Sequence, residues 1–177
     1  IANAKAIIDS PLRQKIRDEL LAGTSNVWLL LQSGNESLDQ KAEQRLRKFL
    51  DQASEETKLP DGIIPLEKAH QLRSGPDEGP IDMDDVLRSS VPLKIHFSTI
   101  AVSRNDSAEE IFISMLLKHS PRMRSITDQP IAIPIFGRGR VLEGMIGRDI
   151  TLEHTLGASS YLCSACSCQV KEENPGL

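Results

Sequence analysis

The stretch Val27-Trp28-Leu29-Leu30-Leu31 restricts the fold of this 177-residue chain more than any other. Five apolar residues in a row, closed by Ser33-Gly34-Asn35, are too few for an ordinary helix and read as a buried strand. Successive side chains of a strand point to opposite faces, so one that is apolar at every position belongs inside a sheet covered on both sides. Helical patterns flank it. Ser10-Pro11 followed by Leu12, Ile16 and Leu20 reads as an amphipathic helix, with Ser10 as cap, Pro11 in the first turn and Gly23 at the end. Ser37-Leu38-Asp39-Gln40 has capping-box spacing and opens a long helix to about Lys58. Its inward stripe is Leu38, Ala42, Leu46, Phe49 or Leu50, and Ala53.

Residues 60–80 carry Pro60, Pro65, Pro76 and Pro80 and read as irregular, with a short helix expected over Asp82 to Ser89. Leu93 to Val102 is a second strand. Asp106-Ser107-Ala108-Glu109 again has capping-box spacing, and the helix it opens is apolar nearly all round before Pro121 stops it near His119. Ile131 to Phe136 and Arg140 to Ile146 form a hairpin about an Arg138-Gly139 turn. Pro134, which cannot donate to a ladder, points to an edge or a bulge. A last helix runs from Thr151 into the cysteines. After the leading helix the order is therefore β-α-β-α-β-β-α, an α/β fold with a mixed sheet and helices on both faces. It forms a single domain over 1–177: a helical extension at 1–25, a core at 26–163 and a cysteine-bearing tail at 164–177. Aromatic residues make up only 3%, so Leu, Ile, Val and Ala must build the core.

That element order resembles the thioredoxin-like fold. The nearest local match is the run from Gln129-Pro130 to Arg140-Val141. Pro130 stands where that family has a cis-proline before an apolar strand, and Phe136, Gly139 and Val141 match its aromatic, turn glycine and second strand. The resemblance implies a cis bond before Pro130, and a Cys-x-x-Cys at the start of the helix after the first strand. Ser33-Gly34-Asn35-Glu36-Ser37 stands there instead, with no sulfur. A helix N-terminus is where a thiol is activated to thiolate. Thioredoxin chemistry from that position is therefore excluded. The closing run CSACSCQVKEENPG also resembles the C-terminal segment of exported bacterial proteins, which implies a periplasmic or cell-envelope location. The chain begins at Ile1 rather than Met, so its natural N-terminus is expected upstream.

All three cysteines, Cys163, Cys166 and Cys168, fall within six positions. The first reading is a structural disulfide, Cys163–Cys166, pinning the tail in an oxidising compartment. The second is a soft-metal seat for copper or zinc made by all three thiolates. It lacks a fourth ligand: His154 lies about 13 Å before Cys163 by helical rise, and His119 or a second chain is the alternative. Thiol exchange is the third, disfavoured because a helix C-terminus opposes thiolate formation.

Other motifs carry less. Acids at 77, 78, 82, 84 and 85 lack calcium-loop spacing, and Gly137-Arg138-Gly139-Arg140 fails the dinucleotide fingerprint and sits in a hairpin. Arg138 and Arg140 beside the turn are candidates for holding an anion. Net charge is −4 and no Lys/Arg stripe appears, which argues against nucleic acid. No apolar run reaches the roughly 20 residues that span a bilayer. A scaffold with a blank reactive position is expected to be non-enzymatic and to act by binding another protein, with metal handling or thiol–disulfide exchange through the cysteines as the alternative.

Overall fold

The computed structural model describes residues 10–58, 64–65, 70, 86–87 and 95–163. At its centre is strand β1, Asn26–Gln32, buried at every position but the last. It runs parallel to β4, Phe97–Ser103, and antiparallel to β5, Ile131–Phe136. Two-residue strands β6, Arg140–Val141, and β7, Met145–Ile146, both pair with β5, giving a five-stranded mixed sheet in the order β4-β1-β5-β6. A separate two-stranded sheet pairs β2, Ile64–Pro65, with β3, Val86–Leu87, in parallel.

The consecutive apolar residues of β1 divide between the two faces. Val27, Leu29 and Leu31 join Ile131, Ile133 and Ile135 on one side, beneath Leu12 and Ile16 of α1 (Pro11–Leu21), Phe112, Ile113 and Leu116 of α3 (Glu110–Lys118) and Met123 of α4 (Pro121–Ser125). Trp28 and Leu30 face Ala42, Leu46, Leu50 and Ala53 of α2 (Glu36–Glu56), with Leu156, Ala158 and Cys163 of α5 (Leu152–Cys163) packed on the same cluster. Helices on both faces of a mixed sheet are thus present as expected.

α1 matches its sequence pattern at both ends. The Ser10 hydroxyl accepts from the Arg13 amide at 3.0 Å, and the chain leaves through Gly23 at φ +96°. There the Gly23 amide reaches Leu20 O and the Thr24 amide reaches Glu19 O, the bonding of a Schellman motif. α2 starts two positions early. Asn35, rather than Ser37, caps it by accepting from the Leu38 amide at 3.2 Å. The buried stripe becomes Asp39, Ala42, Leu46, Leu50 and Ala53, and Leu38 is left exposed.

Elsewhere tertiary pairing overrides local signals. Val86–Leu87, expected in a helix, is a strand on Ile64–Pro65; the remainder of that expected helix lies outside the described residues. The second strand begins at Phe97 rather than Leu93; Leu93 and Lys94 also lie outside them. The helix before Pro121 ends at Lys118 with His119 as its C-cap, as expected, and Pro121 then opens α4, where the Ser120 hydroxyl accepts from the Met123 amide at 3.3 Å and proline suits the first helical position.

The expected strand 140–146 breaks in two because Gly144 is pressed into the core. A Cβ there would lie 2.5 Å from Met123 Sδ and 2.8 Å from Ile131 Cγ2. The break also accommodates Pro134, which is in an interior strand opposite Trp28 and not at an edge. Pro134 O accepts from the Leu142 amide at 3.1 Å. The N and C=O of a strand residue face the same way, so its missing donor is directed at the gap between β6 and β7 and not at β1. The Gln129–Pro130 bond is trans, as is every peptide bond among the described residues. Pro130 is therefore not the expected cis-proline. Pro130 O accepts from the Gly147 amide at 2.8 Å, which ties this loop to the end of β7.

Candidate functional site

The turn from β1 into α2 is where a reactive group would be sought, because it combines a strand end with a helix N-terminus. Its sequence makes it rigid instead. Asp39, in the first turn of α2, is 4% exposed. Its Oδ1 accepts from the Ser33 amide and the Ser33 hydroxyl, both at 2.8 Å, and its Oδ2 accepts from the Gly34 amide at 3.0 Å. Gly34 makes the bend at φ +92°, a conformation that disfavours any Cβ. The Ser33 hydroxyl has one proton, and Asp39 takes it. The same carboxylate also accepts from two backbone amides, so its oxygens are committed to holding the turn. Ser33 and Asp39 lock the backbone and are not arranged as a nucleophile and its activator.

Next to this turn lies Arg104, in the β4–α3 connection. Its Nη2 donates to Gln129 O at 3.3 Å. Burial draws the guanidinium pKa below arginine's ordinary range, against the opposing pull of Asp39 and Asp128. Gln129 is confined in turn: at Gly147, φ +53°, a Cβ would meet Gln129 Oε1 at 2.6 Å. Ser33, Asp39, Arg104 and Gln129 thus form a polar end to the sheet, in which Arg104 Nε is buried without a hydrogen-bond partner among the described residues.

The sequence-predicted cysteine site is brought together only at its first member. Cys163 is half-buried on the side of α5 that packs against the Trp28 cluster. Cys166 and Cys168 lie outside the described residues. His154 is exposed in the first turn of α5, where its Nδ1 is 2.9 Å from Asp149 O. Since α5 is one unbroken helix from Leu152 to Cys163, the separation of about 13 Å stands, and His154 is not a fourth ligand for a site at Cys163. His119 is the C-cap of α3, on the opposite face of the sheet from α5, and cannot serve either. Among the described residues no three His, Cys, Asp or Glu side chains gather as a metal site. Of the turn arginines, Arg138 is exposed and Arg140 is buried.

An open groove of about 690 Å³ runs between α4, β7 and α5, lined in part by Arg122, Glu143, Asp149, Glu153 and His154. Its charges are mostly engaged. Arg122 pairs with Asp149, and Glu143 accepts from the Ser120 hydroxyl at 2.6 Å.

The chain matches no protein-family model, no curated protein and no solved structure.

Two residues with consequential roles escaped the sequence reading. Asp39 was visible only as part of a capping box, and Glu109 as the end of another. Glu109 is 3% exposed and serves a helix elsewhere in the chain: its Oε1 accepts from the Leu12 amide at 2.8 Å and its Oε2 from the Ser10 hydroxyl. No local signal marks a partner 97 residues away.

Proposed function

We propose that this chain is a redox-degenerate, thioredoxin-like scaffold that works by binding another protein and performs no chemistry at its β1–α2 turn. The sheet order β4-β1-β5-β6, with β1 and β4 parallel and β5 antiparallel, supports the fold assignment, as does the placement of α2 and α5 on the face of the sheet opposite α3. The trans bond at Pro130 is a departure from that family. The observation that carries the functional reading is the Ser33–Asp39 lock, which fills the family's reactive position with a satisfied hydrogen-bond cluster. In this reading the three cysteines act as a clasp for the C-terminal segment in an oxidising compartment, consistent with an exported protein.

The test compares wild type with a variant carrying Cys163→Ser, Cys166→Ser and Cys168→Ser. The proposal expects no acceleration of disulfide reduction by either protein, no stoichiometric copper or zinc, and loss of stability alone in the variant. Stoichiometric metal in wild type that the variant lacks, or exchange activity lost with the thiols, overturns it in favour of the cysteine-based reading.

A further inference from the structure

The sheet ends differently at its two edges. Beyond β5 stand β6 and β7, two residues each, interrupted at residues 142–144, so no continuous ladder is offered there. At the other edge β4 runs seven residues, matched one to one with β1 from Asn26↔Phe97 to Gln32↔Ser103 without a bulge. Among the described residues β4 pairs with β1 alone. Its sequence, Phe-Ser-Thr-Ile-Ala-Val-Ser, has no charge and no proline in a chain that is 26% charged. Ala101 and Ser103 are exposed. Natural sheets protect such an edge with charge, proline, a bulge or shortness, or cover it with a helix or loop; β4 has none of the first four, and among the described residues no further strand pairs with it.

We infer that β4 is a self-association edge, on which a second copy of this chain pairs antiparallel about a two-fold axis through Ile100, joining two five-stranded sheets. An antiparallel self-pairing is isologous, so every residue must suit its opposite number. One register overlaps all seven residues. It sets Phe97 opposite Ser103, Ser98 opposite Val102, Thr99 opposite Ala101, and Ile100 opposite itself. No like charges meet in it, and Thr, Ile and Val favour paired strands. A second copy is the occupant this strand fits because the strand offers no charge by which a different partner would be selected. Seven residues make a ladder of about 24 Å, too little by itself for the roughly 1,200 Å² of a stable interface. The dimer is therefore reversible and concentration-dependent.

Sedimentation velocity of the full chain over a concentration series tests this. Wild type should pass from monomer to dimer. Ala101→Lys, at an exposed site, should raise the dissociation constant about tenfold or more. Thr99→Lys/Ala101→Lys and Thr99→Glu/Ala101→Glu, which oppose like charges twice, should each be monomeric, and their equimolar mixture should recover a heterodimer. Circular dichroism reports whether the double variants fold; if they do not, Ala101→Lys carries the test. A wild type that stays monomeric overturns the inference, including one whose β4 amides are protected from exchange within the monomer or by a different protein. A dimer that ignores the Lys substitutions, or folded double variants that stay monomeric when mixed, overturns it equally.

Discussion

The β1–α2 and β4–α3 connections invite comparison. Each follows one of the two parallel strands, each leads into a helix, and each carries a four-residue run with capping-box spacing, Ser37 to Gln40 and Asp106 to Glu109. Neither run forms the box. In the first, Asn35 takes the cap and Asp39 turns back to bind Ser33 and Gly34, six and five residues earlier. In the second, Asp106 accepts from the Ala108 amide in an exposed turn, while Glu109 reaches the N-terminus of α1. One acid stiffens its own turn; the other ties together two helices distant in sequence. The spacing announces a helix start in both cases, but the task of the carboxylate is decided by which unpaired amides the fold brings beside it.

The largest expected effect is at Asp39. Asp39→Ala strands two amides and a hydroxyl beside the sheet and should cost about 3 kcal/mol or more in urea unfolding. Asp39→Asn, which keeps an acceptor, should cost less. If Asp39→Ala is mild, the first connection is no more dependent on its acid than an ordinary surface turn.

Glu109→Ala should follow at about 2 kcal/mol. A double-mutant cycle with Ser10→Ala should show coupling of about 1 kcal/mol, because the two side chains share a hydrogen bond across the fold. A cycle between Glu109 and Asp39, which share no partner, should be additive within about 0.5 kcal/mol. Coupling in the second cycle and none in the first would erase the distinction between a local and a long-range acid.

Cap assignment separates the two at finer scale. Asn35→Ala should cost about 1 kcal/mol, whereas Ser37→Ala should stay within about 0.5 kcal/mol of wild type. The reverse ranking would restore the capping box at Ser37.

The same contrast explains what was legible in the sequence. β1, β5, α1 and α2 were readable because their evidence is local: an apolar run, a 3.6-residue stripe, a serine cap, a terminal glycine. The α2 stripe holds at Ala42, Leu46, Leu50 and Ala53 and differs only at its first member, because Leu38 and Asp39 are neighbours and the apolar one is the natural choice for burial. The buried position went to the acid, whose hydrogen bonds exist only once the turn is folded. The break after Val141 depended on Met123 and Ile131 pressing on Gly144, and the strand at Val86 depended on Ile64; neither neighbour is adjacent in sequence. Of the candidate site, the absence of sulfur after β1 was readable, but the lock that stands in its place was not.

Whether the β1–α2 turn is a structural lock is tested most directly at Ser33. Groups kept for reactivity commonly cost stability, so their removal leaves a protein as stable as before or more so. A hydroxyl kept to satisfy a buried carboxylate does the opposite. Equilibrium unfolding of Ser33→Ala should show a loss of about 1 kcal/mol that disappears in an Asp39→Ala background. A Ser33→Ala variant as stable as wild type, or more stable, would contradict the account and return Ser33 to the list of reactive groups.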